Sequence, residues 1–281
     1  MPKLLEVLTK AAAHLKEKGV PQSRLDAELL LARVLGVKRI DLYLQFDRPL
    51  SEEELEGYRD FVRRRSRREP LQHIEGEVAF REIRLKVDRR ALIPRSETEL
   101  LVEALKRHLP AVELPRVLDI GVGTGAIALS IMRELSHAKV FASDISPLCL
   151  ELTRENAILN GLPAPELFLG SLFDPFPSEQ RWNVIVSNPP YIGEWEVDSL
   201  QPEVRDYDPR QALVGGVLGF ELPLALLQAA FYRLESGGVL LMEIDPRQSE
   251  ALREKALIQG WSQVEVMNDY QQESRFFIAK S

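Results

Sequence analysis

Residues 117–125 read Val-Leu-Asp-Ile-Gly-Val-Gly-Thr-Gly. An apolar run typical of a buried strand leads into three closely spaced glycines, and an apolar helical pattern follows them. Glycine lets a backbone turn tightly and approach a ligand closely. The spacing is G-x-G-x-G rather than the G-x-G-x-x-G of dinucleotide-binding proteins. Because Asp119 lies just ahead of the first glycine, we expect a ligand with a positive ammonium or sulfonium group rather than a pyrophosphate.

The next predicted strand ends at Asp144, 23 residues after Gly121. An acid about 20 residues beyond such a glycine turn often accepts hydrogen bonds from ribose hydroxyls. The alternative is a helix N-cap at Asp144 or Ser146, with Pro147 near the first helical position. Strand, glycine turn, helix and second strand follow in the order that ribose binding requires, so we favour ribose binding as the role of Asp144. The two features together suggest S-adenosylmethionine as the ligand.

Strand and helix patterns alternate from residue 116 onward, which predicts a mostly parallel sheet with helices on both faces. The last two strands leave no room for a helix between them, so they should pair as a hairpin and place one antiparallel strand in the sheet. The predicted strands are Val117–Ile120, Val140–Ser143, Leu167–Leu169, Val184–Ser187, Val239–Ile244, Val264–Met267 and Phe276–Ala279. The predicted helices cover about 125–135, 146–160, 220–235 and 247–259.

The chain before residue 94 has a different organisation. Residues 1–70 have a helical pattern and predict a recognition domain, residues 71–93 alternate and predict a β-hairpin linker, and residues 94–281 form the α/β domain. We predict N-caps at Ser23 and Ser96 and a capping box at Ser51. The arginine-rich run at 63–68 suggests a solvated helix face, and its alternative is a docking patch for an acidic or nucleic-acid partner.

Composition narrows the function classes. Residues 1–90 contain 20 lysines and arginines against 16 aspartates and glutamates, whereas the other 191 residues contain 16 against 27. An acidic main body argues against sequence-independent binding of nucleic acid. No apolar run approaches membrane-spanning length. The single cysteine fits a reducing cytoplasm. The four histidines are scattered, so we expect no metal site.

Asn188-Pro189-Pro190-Tyr191 follows another apolar run. Neither proline can donate to a sheet, so the strand must end here, at the edge where α/β proteins bind ligands. A rigid turn is the alternative. As a site, the Asn188 side-chain carbonyl and the Pro189 backbone carbonyl can each accept one N–H of an NH₂ group, which favours a pyramidal nitrogen whose lone pair can attack a methyl group. Tyr191 can cover a flat amide or base.

The tetrad and the glycine loop, together with several flanking segments, resemble the HemK/PrmC family of release-factor glutamine N5-methyltransferases. The flanking segments are Pro70–Gln72, Ile93–Arg95 with Thr98–Glu99, Glu203–Arg205, Asp208–Pro209 with Ala212–Leu213, Gly215–Gly216, and Met242–Ile244 with Gln248. The resemblance covers essentially the whole chain. It implies a Rossmann-like class I methyltransferase fold and methylation of the glutamine in the Gly-Gly-Gln loop of peptide chain release factors, which the helical domain docks.

The resemblance also implies roles for individual residues. It implies that S-adenosylmethionine is held by the glycine loop, by the acid Asp144, by the adenine-side segment that contains Leu172 and by Asn188, and that Asn188 to Tyr191 hold the glutamine. The loop residues are Asp119, Gly121, Val122, Gly123, Thr124 and Gly125. The sequence departs from the family pattern at Ser96, Leu218, Asp245 and two segments, Gly170–Phe173 and Tyr270–Arg275, none of which touches the tetrad.

Three functions stay open at this point. The first is the protein-glutamine methyltransferase, with the mostly irregular segment 192–218 shaping the peptide cleft. The second is an amino-methyltransferase for adenine or cytosine, whose flipped base the tetrad would suit. Against it, the catalytic body is acidic and lacks a basic target-recognition domain, so we expect nucleic acid not to be a direct substrate. The third is a catalytically silent binding module, against which the intact tetrad argues.

Overall fold

The computed structural model describes all 281 residues and contains two units, one of Met1–Glu77 with Gln201–Tyr207 and one of Val78–Leu200 with Asp208–Ser281. None of the helices has the length and apolar character needed to cross a membrane. The helices are α1 (Leu4–Glu17), α2 (Ser23–Leu35), α3 (Arg39–Leu42), α4 (Glu52–Ser66), α5 (Leu71–Glu75), α6 (Thr98–His108), α7 (Ala126–Glu134), α8 (Pro147–Leu159), α9 (Pro202–Arg205), α10 (Glu221–Phe231) and α11 (Ser249–Gln259). The strands are β1 (Glu77–Phe80), β2 (Ile83–Lys86), β3 (Arg116–Ile120), β4 (Lys139–Asp144), β5 (Glu166–Leu169), β6 (Trp182–Ser187), β7 (Ile192–Gly193), β8 (Val214–Gly216), β9 (Leu234–Glu243), β10 (Gln263–Asn268) and β11 (Ser274–Lys280).

The first unit is helical and has its own apolar core. Leucines at helical spacing on α1 and α2 pack against Leu55 and Tyr58 of α4, because each helix buries one apolar stripe. The predicted capping box is present: the Ser51 hydroxyl accepts from the Glu54 N–H, and the Glu54 carboxylate accepts from the Ser51 N–H. Ser23, in contrast, is the first residue of α2 and makes no cap hydrogen bond, so that predicted N-cap is wrong.

The arginine-rich run at 63–68 is only in part the solvated helix face that the sequence suggests: Arg63 and Arg67 are exposed, whereas Arg65 is buried. Arg65 is 5% exposed and donates to Asp26 at 2.7 Å and to Glu203 at 2.9 Å. Arg68 makes two further hydrogen bonds to the Glu203 carboxylate, at 2.7 and 2.5 Å. Glu203 lies 135 residues further along the chain than Arg68, so periodicity alone could not show that these charges meet. This ion cluster holds segment 201–207 within the helical unit.

The predicted hairpin forms, but it begins later than expected. Residues 71–75 are the short helix α5, so only β1 and β2 pair, and the expected extended backbone at His73–Glu75 is wrong. Apolar side chains of the hairpin, including Phe80 and Leu85, join the core of the second unit. The predicted N-cap at Ser96 is also wrong, because α6 begins at Thr98 and the Ser96 hydroxyl donates to Glu97 instead.

A seven-stranded sheet forms the centre of the second unit, in the order β10-β11-β9-β6-β3-β4-β5. The pairs β3–β4, β3–β6, β4–β5 and β6–β9 are parallel, and β11 is antiparallel to both of its neighbours, as predicted. Successive side chains enter opposite cores: Val184 and Val186 contribute to one face and Ile185 to the other. Strands β4 and β6 flank β3 on opposite sides, so the strand order reverses at β3, where such sheets bind ligands.

The segment 192–218 is less irregular than predicted. Strands β7 and β8 pair in parallel as a separate small sheet, and 3₁₀ turns cover Glu194–Ser199 and Arg210–Ala212. Its middle part, Gln201–Tyr207, belongs to the helical unit and contains α9. The segment therefore contributes to both units rather than forming one loop.

Candidate active site

A cavity of about 210 Å³ lies at the carboxyl ends of β3, β4 and β6. Its wall contains most of the residues that the sequence singled out. The predicted site residues in the wall are Gly121, Val122, Gly123, Thr124, Asp144, Leu172, Asn188, Pro189 and Pro190. Asp119, Gly125 and Tyr191 lie outside the wall.

The glycine loop lies at the end of β3, and its three glycines all have positive φ. A Cβ at Gly121 would meet no atom within 4 Å, so this backbone borders open space. A Cβ at Gly125 would lie 3.0 Å from Leu129 and Thr153, so this glycine allows the loop to pack on α7 and α8. The loop backbone is therefore open to a ligand at Gly121 and Gly123, whereas Gly125 allows close packing against α7 and α8.

Asp144 ends β4 at the cavity wall. Its carboxylate accepts from the Gly123 N–H at 3.0 Å and from the Ser146 N–H at 2.9 Å, which fixes its orientation and leaves further lone pairs for a ligand. Burial raises the pKa of Asp144, and these backbone hydrogen bonds oppose that rise. The N-cap position of α8 belongs to Ser146, which makes no side-chain cap bond, and Pro147 is the first helical residue.

Asp119 is 1% exposed and lies beneath the loop. One carboxylate oxygen accepts from the Ala128 N–H in the first turn of α7 at 3.0 Å, and the other has no hydrogen-bond partner. Burial raises the pKa of Asp119 to about 7. The structure thus places this carboxylate at a helix N-terminus, where the helix dipole favours negative charge.

The tetrad leaves the end of β6 and is held from several sides. Gln248 donates from its side-chain amide to the backbone oxygens of Tyr191 and Gly219, at 3.1 and 2.9 Å. A Cβ at Gly215 would lie 2.3 Å from the Pro190 oxygen, so only glycine permits β8 to approach the tetrad this closely. The two prolines and these contacts keep the tetrad backbone in one conformation.

A hydrogen-bonded chain begins at the Asn188 side chain. The Asn188 amide nitrogen donates to the Thr98 hydroxyl at 3.2 Å, and the Thr98 hydroxyl donates to a carboxylate oxygen of Glu243 at 2.6 Å. The Tyr191 hydroxyl approaches the other Glu243 oxygen at 3.4 Å. Glu243 is 2% exposed, and burial raises its pKa. With its nitrogen engaged, Asn188 keeps its carbonyl oxygen for a ligand.

Thr98 and Glu243 had no role in the sequence interpretation beyond their place in flanking segments. A single acid at the end of the apolar run Val239–Met242 was the available signal, because such a strand buries its side chains on both faces. The partner of that acid lies 145 residues away along the chain, so its role emerges only from the fold.

Solved structures show the class of protein that has this architecture. The chain is similar to a methyltransferase of Pyrococcus furiosus, with 20% identity, 70% of this chain and 88% of that chain covered, and a TM-score of 0.53. It is also similar to a 16S rRNA methyltransferase of T. thermophilus in complex with AdoMet and guanosine, with 20% identity, 73% and 49% covered, and a TM-score of 0.52. The fold is that of the Rossmann-like class I methyltransferases, as predicted.

Sequence relatives narrow this class to one family. A family model described as the PrmC N-terminal domain matches residues 6–76, and one described as the methyltransferase small domain matches residues 96–200. The release factor glutamine methyltransferase of Geobacter sulfurreducens is 43% identical over 88% of this chain and 86% of its own. That of Deinococcus radiodurans is 41% identical over 99% and 98%. The chain belongs to the release factor glutamine methyltransferase family.

Proposed function

We propose that this chain transfers a methyl group from S-adenosylmethionine to the side-chain amide nitrogen (N5) of a glutamine in a peptide chain release factor. The glutamine is the one in the Gly-Gly-Gln loop. The observation that carries the proposal is the orientation of Asn188: its amide nitrogen binds Thr98, which leaves a carbonyl oxygen for an NH₂ group at the cavity wall. The family to which the chain belongs has this activity in its name.

The cavity wall fits the methyl donor. Gly121 and Gly123 offer backbone without side chains, Asp144 offers a fixed acceptor for ribose hydroxyls, and Leu172 offers apolar surface on the adenine side. S-adenosylmethionine supplies, when bound, an electrophilic methyl group on a sulfonium sulfur. Asp119 contributes a buried acid under the loop, and its direct contact with the donor stays a prediction.

The tetrad orients the acceptor nitrogen. The lone pair of an amide nitrogen is delocalised, so the nitrogen is a poor nucleophile until its geometry is constrained. Asn188 and Pro189 each accept one N–H through a carbonyl oxygen, which turns the lone pair toward the methyl group and stabilises the positive charge that develops on nitrogen. The nitrogen loses a proton after it has gained the methyl group, so no strong base is needed. The predicted stacking of Tyr191 on the substrate amide stays a prediction, since its hydroxyl faces Glu243.

The surroundings of the tetrad favour a protein substrate. Trp195, Val217 and Leu218 are 63% to 70% exposed, so large apolar side chains are exposed next to β7, which follows the tetrad, and β8, which packs on it. Nucleic-acid binding proteins instead concentrate positive charge around their sites. The structural similarity to an rRNA methyltransferase concerns the fold alone.

The test compares three methyl acceptors. The protein is incubated with labelled S-adenosylmethionine and, separately, with a release factor, adenine-containing DNA and ribosomal RNA. We expect label in the release factor alone. Label in DNA or RNA but not in the release factor would contradict the proposal and favour a nucleic-acid amino-methyltransferase, and label in no acceptor would favour a silent binding module.

Replacing Asp144 tests the donor site. We expect Asp144→Ala to weaken S-adenosylmethionine binding by about tenfold to a hundredfold, the scale of losing a hydrogen bond to a charged group. Asp144→Asn keeps one acceptor oxygen and should lose less. Because the pKa of Asp144 is raised, binding by the unaltered protein should also weaken as the pH falls. Calorimetric titration measures each affinity for S-adenosylmethionine. Equal affinities for all three proteins would contradict a role for Asp144 in binding the donor.

A further inference from the structure

The chain of hydrogen bonds behind Asn188 has a direction. We propose that Glu243 is a positioning residue that, through Thr98, holds the Asn188 carbonyl oxygen toward the cavity and thereby selects an NH₂ group as the methyl acceptor. The inference deepens the proposed function and rests on it. It assigns roles to Thr98, which lies in the cavity wall, and to Glu243, which lies outside the wall and is reached from the cavity only through Thr98.

The direction follows from the donors that are available. A distance of 2.6 Å between the Thr98 hydroxyl and the Glu243 oxygen Oε2 lies within the range of a hydroxyl that donates to a carboxylate. Thr98 has one proton, so its oxygen can only accept from Asn188. Turning the Asn188 amide over would place two acceptor oxygens about 3 Å apart with no proton between them, the separation of the present hydrogen bond. Oε2 accepts in the same way whether or not the other oxygen, Oε1, carries a proton.

The surroundings of Glu243 support a functional reason for its burial. Its carboxylate is contacted by two hydroxyls, those of Thr98 and Tyr191, and by no arginine or lysine. Arg275 and Glu97 act on it only at longer range, and the Arg275 guanidinium hydrogen bonds to Asp269. A buried carboxylate without a basic partner destabilises a fold, so this arrangement is expected where the carboxylate orients other groups.

The consequence is selection between glutamine and glutamate. Glutamine offers two N–H donors to the carbonyl oxygens of Asn188 and Pro189, whereas a glutamate side chain at the same place offers only oxygens. Acceptor facing acceptor leaves buried polar atoms unpaired, which sites built for hydrogen bonding reject strongly. A site with a freely turning Asn188 amide would lose this discrimination.

The first test compares two variants of Thr98, one without the hydroxyl and one with it. Thr98→Val keeps the shape but removes the hydroxyl, whereas Thr98→Ser keeps the hydroxyl. We expect Thr98→Val to lower kcat by roughly tenfold to a hundredfold with little change in KM for S-adenosylmethionine, and Thr98→Ser to restore most of the turnover. We also expect Thr98→Val to reduce the preference for a release factor with glutamine over one with glutamate at the target position, measured as binding in the presence of S-adenosylhomocysteine. Equal behaviour of the two variants would overturn the proposal.

The second test needs no substrate. The side-chain NH₂ signals of Asn188 in an NMR spectrum are identified by their loss in Asn188→Ala, and their hydrogen exchange is measured. We expect slow exchange in the unaltered protein, faster exchange in Thr98→Val and slow exchange in Thr98→Ser. Unchanged exchange in Thr98→Val would overturn the chain of hydrogen bonds even if the release factor is methylated. Slow exchange with no methylation of any release factor would instead support the hydrogen bonds from Asn188 through Thr98 to Glu243 and contradict the proposed function.

Discussion

Glu203 and Glu243 are both largely buried glutamates, but their partners differ. Glu203 is held by Arg65 and Arg68, whose hydrogen bonds outweigh the effect of burial and lower its pKa. Glu243 is contacted by two hydroxyls, and burial raises its pKa. The first arrangement stabilises the helical unit, and the second leaves a carboxylate whose cost to stability is offset by the orientation it imposes at the site. Partner chemistry therefore separates a structural acid from a functional one better than burial does.

The largest effect on activity is expected at Asn188, where the series of hydrogen bonds from Glu243 reaches the cavity. We expect Asn188→Ala to lower methyl transfer by at least about a hundredfold, the scale of losing one hydrogen-bonding group that acts in the transition state. S-adenosylmethionine affinity should change much less. Single-turnover rates and calorimetric titration measure the two quantities. Near-normal turnover would mean that the tetrad does not act through its side-chain carbonyl.

The next largest effect concerns the structural acid. We expect Glu203→Gln to lower the free energy of unfolding by about 2–3 kcal/mol, because it removes one of the two carboxylates that bind the buried Arg65 and the carboxylate that binds Arg68. Asp206→Asn, whose carboxylate forms an exposed pair with Arg205 in the same segment, serves as the matched control and should change stability little. Because the pKa of Glu203 is lowered, its contribution is present above the pKa of the unfolded chain and is lost as the pH falls through the folded value. Denaturant unfolding at neutral and acid pH checks this; a loss from Glu203→Gln no larger than that from Asp206→Asn would remove the contrast.

The smallest effect on stability is expected at the functional acid, and its sign is opposite. The pKa of Glu243 is raised, so the folded protein binds this proton more tightly than the unfolded chain and loses stability as the pH rises through the folded value. The Glu243→Gln variant has no carboxyl group to titrate at this position, so it does not lose stability in this way as the pH rises. We expect the variant to be at least as stable as the unaltered protein at pH 8, by thermal unfolding, while methyl transfer falls about tenfold. A variant that is both unstable and fully active would contradict the comparison.

Sequence patterns were sufficient for the sheet because its evidence is local. Every predicted strand of the seven is present, and six agree within two residues at each end. β9 begins at Leu234, five residues earlier than predicted, so the helix expected over about 220–235 ends sooner, at Phe231. The pairing of β10 with β11 followed from the short connection between them. The glycine loop, Asp144 and the tetrad meet because parallel strands place their carboxyl ends at one edge.

Contacts between residues far apart along the chain could not be predicted from the sequence. The burial of Arg65 depends on Glu203, and the orientation of Asn188 depends on Thr98 and Glu243, all far apart along the chain. A run of arginines has the same periodicity whether it faces solvent or an acid from a distant segment. The N-caps expected at Ser23 and Ser96 failed for a related reason, because tertiary packing set where those helices begin.

In the proposed function, the Asn188 carbonyl presents a glutamine amide to the methyl donor. Its most direct test is tandem mass spectrometry of a release factor after incubation with S-adenosylmethionine and either the unaltered protein or Asn188→Ala. We predict one methyl group on the side-chain amide of the glutamine in the Gly-Gly-Gln loop with the unaltered protein, and almost none with Asn188→Ala. A methyl group on another residue, or equal methylation by both proteins, would contradict it.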